Sequence, residues 1–208
     1  MKTKSDILTQ VKISNCEKIA LISCDRSNYY YTSELPPFDF EVNNCPSLQN
    51  ILAKYKAMNH FEVNDCANLD TVDISLNKLT SVKLDKSVKY LDCSGNEITS
   101  LDVSGFTRLK ELYCTSNQMN SLNIDGCNNL ETLHCSDNNL SSLSIDNLSK
   151  LKELYCNKNQ ISSLDISKHL TMDKVDCTEN QIKRLIISNG QAFSVLKKDA
   201  TTEIVYVD

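Results

Sequence analysis

Cysteine is the residue type in this chain that most clearly suggests chemistry, with ten cysteines and three histidines among 208 residues. Thiolates act as nucleophiles, bind metals and form disulfides. Five of the cysteines follow one another at intervals of 21 residues: Cys93, Cys114, Cys135, Cys156 and Cys177. The sequence contains no C-x-x-C pair and no histidine in register with this series, so we predict no zinc site.

Apolar residues replace cysteine at the same position of other repeats, and this indicates how the thiols are used. Cys24 belongs to the first series, in which Ala53 and Ile74 stand at two other repeats. A second series consists of Cys16, Cys45, Cys66 and Cys127, with Phe106 and Leu148 at the equivalent positions. Cysteine that alternates with apolar residues behaves as a small hydrophobic side chain. We therefore expect buried free thiols, since stacked coils also orient neighbouring Cβ vectors poorly for a disulfide.

The remaining candidates for chemistry do not assemble into a catalytic or metal site. His134 and Cys135 are adjacent, but alternation along a strand sends them to opposite faces. His169 shares the second cysteine column and is expected to be a partly buried turn residue, whereas His60 is expected to point outward from a loop. The aspartates do not follow the spacing of a calcium loop. The sequence predicts no enzyme, no catalytic residue, no metal and no cofactor.

The fold class follows from a repeat of 21 residues. Counted from Leu112 as position 0, apolar residues recur at positions +2, +7, +10, +12, +15 and +18. The 0/+2 and +10/+12 pairs have the two-residue period of short strands. We predict a β-rich solenoid with about eight coils and little or no helix. The asparagines at +5, such as Asn117, are expected to bond to backbone where the strands end.

The repeat also predicts how the chain is divided. Residues 1–21 form an N-terminal half-coil or cap, residues 22–188 form the repeats, and residues 189–208 form a C-terminal cap. An insertion of eight extra residues falls at about 25–39, and the coil that begins at Val72 is two residues short. A final edge strand is predicted at Glu203-Ile204-Val205-Tyr206-Val207.

Composition narrows the classes of partner and the location. A net charge of −5 without a Lys/Arg run argues against nucleic-acid binding. The sequence has no run of about 18 apolar residues, so we predict no membrane-spanning helix. The first residues lack the apolar stretch of a signal peptide, which favours the cytoplasm, whereas a removed leader would place the chain outside the cell or on its surface. We expect a monomer.

One segment carries a family resemblance. Leu109-Lys110-Glu111-Leu112-Tyr113-Cys114-Thr115-Ser116-Asn117-Gln118-Met119 matches L-x-x-L-x-L-x-x-N-x-L, with cysteine at the third leucine. Together with the Ser-Leu-Asp-Val-Ser block at 100–104 and the Ser-Leu-Asp-Ile-Ser block at 163–167, it resembles a bacterial class of short leucine-rich repeats. The resemblance implies a right-handed coil with a parallel sheet on its concave side, a protein-binding role and no catalysis by the repeats.

The outward positions of the concave strands hold the main candidate site. Positions −1 and +1 are predicted to form an exposed aromatic strip with acidic residues beside it. The candidate residues are Tyr90, Asp92, Glu111, Tyr113, His134, Glu153, Tyr155 and Asp176. Aromatic side chains suit protein interfaces because they bury a large area and keep a polar group. The alternative is that these rings serve only cross-strand packing.

A second candidate site is the tyrosine run in the insertion. Tyr29, Tyr30 and Tyr31 either protrude and bind a partner or fold back over the N-terminal coils. The sequence as a whole favours a non-enzymatic scaffold that binds another protein. The alternative is a secreted or surface adhesion module that recognises a host protein or glycan.

Overall fold

A computed structural model of the chain describes residues 10–23, 37–54 and 57–208. The described residues form short strands and turns and include no helix, so none could cross a membrane as a helix. In chain order the strands are β1 (Gln10–Ser14), β2 (Leu21–Ser23), β3 (Phe38–Asn43), β4 (Asn50–Leu52), β5 (Met58–Asn64), β6 (Thr71–Asp73), β7 (Tyr90–Asp92), β8 (Ser100–Asp102), β9 (Glu111–Tyr113), β10 (Ser121–Asn123), β11 (Thr132–His134), β12 (Glu153–Tyr155), β13 (Leu164–Asp165), β14 (Lys174–Asp176), β15 (Arg184–Ser188), β16 (Val195–Lys197) and β17 (Glu203–Val207).

The 0/+2 segments form a single parallel sheet, which we call the main sheet. Its nine strands follow the order β2-β4-β6-β7-β9-β11-β12-β14-β16. Most neighbouring strands pair residues 21 positions apart, as Leu112 pairs with Leu133. Two pairs of strands differ: Leu21 pairs with Asn50, which is 29 residues later, and Thr71 pairs with Tyr90, which is 19 residues later. These two departures equal the predicted insertion and the predicted short coil, so the solenoid fold is confirmed.

The +10/+12 segments form three smaller parallel sheets on the other side of the coils. They comprise β1-β3-β5, β8-β10 and β13-β15-β17. At the short coil only one isolated bridge, between Glu62 and Lys83, remains in this position. The predicted terminal strand is present as β17, which pairs in parallel with β15. The division of the chain into caps at 1–21 and 189–208 around repeats at 22–188 stays a prediction.

The core lies between the two sets of strands and runs the length of the coils. The inward residues of β2, β4, β6, β7, β9, β11, β12 and β14 are buried, whereas Leu196 of β16 is partly buried against the core. The residues two positions further on are also buried in the coils of β4 to β14. Phe40 and Phe61 stack in this core with ring centroids 5.4 Å apart. Because each coil covers only its neighbours, burial of these apolar columns is the main source of stability.

The cysteines are part of this core. All nine cysteines in the described ranges are unpaired, and the series from Cys93 to Cys177 is at most 1% exposed. Burial raises the pKa of the Cys135 thiol to about 12 and that of Cys177 to about 11. The interpretation as buried free thiols is confirmed for eight of these nine residues, whereas Cys16 is half-buried and Cys24 lies outside the described ranges.

The asparagine column bonds neighbouring coils together. The Asn117 amide nitrogen donates to the carbonyl of Cys93 at 3.1 Å in the preceding coil and to that of Cys114 at 3.2 Å in its own. Its Oδ1 accepts the Ile98 N–H at 3.1 Å. The equivalent bonds recur at Asn96, Asn138, Asn159 and Asn180. The predicted structural role of this column is confirmed.

Two histidines differ in detail from the sequence expectations. His60 is exposed as predicted, but it lies within β5 rather than on a loop. His169 is 1% exposed, fully rather than partly buried, and its Nε2 lies 2.9 Å from the Ile145 carbonyl. The Cys127 thiol donates to the equivalent carbonyl of Val103 at 3.1 Å. The imidazole therefore takes the place of a thiol in the same inter-coil bond, which explains its full burial.

Candidate functional site

Four consecutive strands of the main sheet place the candidate aromatic residues side by side. Leucines at the centres of β7, β9, β11 and β12 point into the core, so the flanking residues point outward. We call the outward rings of Tyr90, Tyr113, His134 and Tyr155 the aromatic strip. Its centroids lie 5.5 Å apart for Tyr90–Tyr113, 4.8 Å for Tyr113–His134 and 4.4 Å for His134–Tyr155. The structure thus brings the four predicted rings into one continuous row.

The strip is half-buried, whereas the sequence predicted that it would be exposed. Each ring covers part of its neighbour, and the Tyr113–His134 pair meets edge to face with an interplanar angle of 72°. Contacts of this kind stabilise aromatic pairs beyond the area that they bury. The rings are therefore held in place by each other while one side of the row stays open to solvent.

Tyrosine and carboxylate exchange places between β7 and β9. Tyr90 lies opposite Glu111 and Asp92 lies opposite Tyr113 in the strand register. The Tyr113 hydroxyl donates to Oε2 of Glu111 at 3.0 Å. Burial, followed by this hydrogen bond, raises the pKa of Tyr113, and burial followed by the charge of Asp92 raises the pKa of Tyr90. Both hydroxyls are therefore protonated donors at neutral pH.

His134 occupies the middle of the strip between two tyrosines. Burial lowers the pKa of its imidazole, although the charges of Glu153, Asp92 and Glu111 act in the opposite direction. Its Nε2 is buried and has no hydrogen-bond partner among the described residues. A buried polar atom without a partner costs stability and is rare in folded proteins. The strip therefore contains one unsatisfied polar group.

The acidic residues beside the strip are not equivalent. Glu153 forms an ion pair with Lys174 at 2.8 Å. Asp176 is 8% exposed, so it is buried rather than part of an open rim, and its carboxylate pairs with Lys197 at 3.4 Å. Lys197 was not among the predicted site residues because the repeat pattern fades before it. Only the register of β16 on β14 shows that it stands beside Asp176.

The adjacent residues His134 and Cys135 do not come together in the structure. His134 points outward from the sheet, whereas Cys135 is fully buried on the opposite side. Within the described ranges, no group of three His, Cys, Asp or Glu residues could hold a metal ion. The second candidate site, Tyr29, Tyr30 and Tyr31, lies outside the described residues. The aromatic strip is therefore the candidate surface that the structure allows us to describe.

Comparison with known families identifies the repeats. Two copies of the family model described as leucine-rich repeats match residues 86–126 and 128–169. The repeats over these residues are therefore leucine-rich repeats, and the 21-residue spacing and apolar columns fit that family. No curated protein matches the sequence.

Several solved bacterial structures share the fold. The functional domain of InlJ from Listeria monocytogenes, described as including a cysteine ladder, superposes with a TM-score of 0.58 at 24% identity, over 73% of this chain and 38% of that one. YopM from Yersinia enterocolitica gives a TM-score of 0.52 at 21% identity, over 84% of this chain and 47% of that one. The internalin inlF from Listeria monocytogenes gives 0.50 at 16% identity, over 79% and 66%. The chain spans less than two thirds of each of these structures.

Proposed function

We propose that the chain is a non-enzymatic scaffold that binds another protein through the aromatic strip on the main sheet. Leucine-rich-repeat solenoids commonly serve as protein-interaction scaffolds. The observation that carries the proposal is the unbroken row of four rings, joined by three ring contacts, across β7, β9, β11 and β12. Aromatic residues dominate the energetics of protein interfaces because they bury a large area and carry a polar group.

Pre-organisation of the strip favours binding. Each ring is attached to a strand that is hydrogen-bonded on both sides, and each ring is packed against the next. Such side chains lose little conformational freedom when a partner covers them, so less of the interaction energy is spent on ordering. The strip resembles a prepared surface more than a set of mobile side chains.

The unsatisfied histidine gives a second reason to expect a partner. Cross-strand packing accounts for the ring contacts, but it leaves Nε2 of His134 without a hydrogen bond among the described residues. A strip selected for packing alone would gain stability from a fourth tyrosine or a phenylalanine at this position. A group on a bound partner could supply the missing bond after a small movement of the ring.

Affinity capture tests the proposal. Tagged wild-type protein and a Tyr113→Ser/Tyr155→Ser variant would be incubated with extract from cells of the native organism, and bound proteins quantified by mass spectrometry. We expect at least a tenfold loss of one or more specific partners with the variant. Tyr206→Ser is the matched control, because Tyr206 is exposed on β17 and does not belong to the main sheet. Equal recovery of every partner by all three proteins would reject the strip as the binding surface.

A further inference from the structure

Asp73 and Asp176 of the main sheet share a bonding pattern in which the two carboxylate oxygens have different partners. In Asp73, Oδ1 accepts from the Ser75 hydroxyl at 2.8 Å and Oδ2 pairs with the Lys54 ammonium at 2.6 Å. In Asp176, Oδ1 accepts from the Thr178 hydroxyl at 2.7 Å and Oδ2 pairs with the Lys197 ammonium at 3.4 Å. One oxygen closes the local turn, and the other neutralises a cation from an adjacent coil.

Asp92 has the first half of this pattern without the second. Its Oδ1 accepts the Ser94 N–H at 3.0 Å, but no Lys or Arg of residues 10–23, 37–54 or 57–208 forms an ion pair with its carboxylate. Tyr113 stands opposite Asp92 in the next coil, where Lys197 stands opposite Asp176. The cation-binding oxygen is present, and a tyrosine occupies the place of the cation.

Glu111 departs from its neighbours in the same way. Glu153 and Glu131 each pair with a lysine of the following coil, at 2.8 Å and 2.6 Å respectively. Glu111 instead lies opposite Thr132 in the following coil and opposite Tyr90 in the preceding one. Its contact in the described structure is the hydroxyl of Tyr113. Two adjacent carboxylates of this face therefore lack the cation that their equivalents have.

These two carboxylates and two tyrosines form a square on adjacent strands. Tyr90 and Asp92 lie on β7, Glu111 and Tyr113 lie on β9, and each ring is diagonal to the other. The ring centroids are 5.5 Å apart with an interplanar angle of 40°, so the faces are inclined to each other. A cation binds best within about 6 Å of a ring centroid, and its affinity rises when carboxylates are beside it. All four side chains are half-buried and open to solvent on the outer side.

We propose that Tyr90, Asp92, Glu111 and Tyr113 form a receptor for an arginine side chain on the protein partner. This inference rests on the proposed function, because it assigns a ligand group to the same surface. A planar guanidinium stacks on tyrosine and offers five donors in a fork, so it can engage a ring and two carboxylates together. An ammonium group is compact and makes fewer directed bonds, which makes lysine the weaker ligand.

The neighbouring charges limit where the arginine can lie. Lys54 is close enough to influence Asp92 and Tyr90 electrostatically, but its ammonium is bonded to Asp73. On the other side His134 is held in its neutral form, so it does not repel a cation at neutral pH. The receptor is therefore bounded by a bound lysine at one end and a neutral ring at the other.

Titration with short peptides tests the receptor directly. Acetyl-Gly-Arg-Gly-amide would be added to the full chain while the ring resonances of its tyrosines are followed by NMR. The citrulline peptide of the same length is the neutral control, and the lysine peptide tests the preference for guanidinium. We expect saturable shifts at Tyr90 and Tyr113 with arginine, and binding at least tenfold weaker with citrulline and measurably weaker with lysine. Equal responses to arginine and citrulline, or to arginine and lysine, would overturn the proposal.

Two variants distinguish specific binding of arginine by Asp92 and Glu111 from nonspecific attraction to the negative charge of the protein. Asp92→Asn/Glu111→Gln should weaken binding of the arginine peptide at least tenfold. Glu131→Gln removes a carboxylate that is already paired with Lys152, so it should leave the affinity unchanged. A similar loss with Glu131→Gln would show that the peptide senses only net charge and would overturn the receptor.

The same variants distinguish the receptor from the scaffold. If the Asp92→Asn/Glu111→Gln variant captures partners as well as wild type while Tyr113→Ser/Tyr155→Ser does not, the scaffold stands and the arginine receptor is wrong. Loss of partner capture with both variants, together with arginine-specific ring shifts, would support the receptor. Arginine-specific shifts without any strip-dependent partner would show that the site binds arginine, but they would remove the proposed function and with it the assignment of that arginine to a protein partner.

Discussion

The side-chain amide of Asn138 donates a hydrogen bond to the backbone carbonyl of Cys114, 24 residues earlier in the chain, at 3.1 Å. The same amide donates to Cys135 at 3.1 Å, and its Oδ1 accepts the Met119 N–H at 3.0 Å. One side chain thereby connects two coils at the point where the main-sheet strands end and the backbone loses its ladder partners. Buried backbone groups must be paired, so this bond pattern is a condition for stacking the coils.

Asn138→Ala should therefore destabilise the solenoid strongly. The change leaves the Met119 N–H and the two carbonyls with one bond fewer in a buried position. We expect a loss of about 3 kcal/mol in the free energy of unfolding, measured by urea denaturation followed by circular dichroism. Asn139→Ala is the matched control, since the neighbouring side chain is exposed, and it should change stability by less than about 0.5 kcal/mol. Comparable losses in the two variants would contradict the role of the column.

The thiols of the core should be inert while the chain is folded. Burial raises the pKa of Cys135 to about 12, so almost no thiolate forms at pH 8, and the side chain is fully covered. We expect Cys16, which is half-buried on the N-terminal coil, to react with iodoacetamide well before Cys135. Peptide mass spectrometry after brief labelling would measure the order, and labelling in urea should reach both residues. Native labelling of Cys135 at the rate of Cys16 would contradict the buried ladder.

Much of the fold could be predicted because equivalent positions of successive coils face the same environment, so that an inward position holds an apolar residue in coil after coil. Cysteine, alanine and isoleucine at one position identify an inward site, even though a single cysteine would not. The left-handed backbone at position +4 is signalled by Gly95 in one coil, but Ser116, Asp137 and Lys158 adopt it with φ of 53°, 56° and 56° and share no turn preference. That conformation is imposed by bonds to the next coil, such as the Ser116 N–H to the Ser136 carbonyl at 3.0 Å.

The sequence could predict which aromatic residues form the candidate site, but not how deeply they are buried or which ion pairs lie beside them. Strand alternation identified the four rings of the strip as outward residues. The half-burial of the rings and the ion pairs beside them depend on side chains from adjacent coils. The repeat pattern assigns each residue to an inward or outward position within its own coil, and this does not show which side chains of adjacent coils come into contact. The burial of Asp176 beside Lys197 is the clearest case, because that lysine stands on a strand in which the repeat is no longer recognisable.

The central histidine of the strip should make stability depend on pH. Burial lowers the pKa of His134 in the folded chain below the value of about 6.5 for an unfolded chain. Protonation therefore favours the unfolded state, and this contribution to stability is full above pH 6.5 and lost as pH falls from 6.5 toward the folded pKa. Urea denaturation of wild type at pH 8 and pH 5.5 should show a decrease at the lower pH.

His134→Phe should reduce that decrease and remove the unsatisfied Nε2. We expect the variant to be at least as stable as wild type at pH 8, because phenylalanine keeps the ring contacts with Tyr113 and Tyr155 without a buried polar atom. The difference in unfolding free energy between the two pH values, compared between variant and wild type, is the deciding measurement. An unchanged difference would show that His134 does not carry this pH dependence.

The C-terminal coil is closed by the carboxylate of Asp199. In an inner coil the N–H groups of Lys158 and Asn159 donate to the carbonyls of Thr178 and Glu179 in the next coil, at 3.0 Å and 3.2 Å. In the last such turn the N–H groups of Glu179 and Asn180 donate instead to Oδ1 and Oδ2 of Asp199, at 2.9 Å and 3.2 Å. A side chain thus supplies both acceptors that a further coil would have provided.

Asp199→Ala should therefore loosen the end of the solenoid without unfolding the rest. Because each coil contacts only its neighbours, the loss stays local, and we expect amide hydrogen exchange at Glu179 and Asn180 to quicken by about tenfold. Exchange at Ser116 and Asp137, three coils and two coils away, should stay at the wild-type rate and serves as the internal control. Asp199→Asn retains one acceptor oxygen and should give an intermediate rate. If Asp199→Ala accelerates exchange equally throughout the chain, or nowhere, the carboxylate does not act as the terminal acceptor.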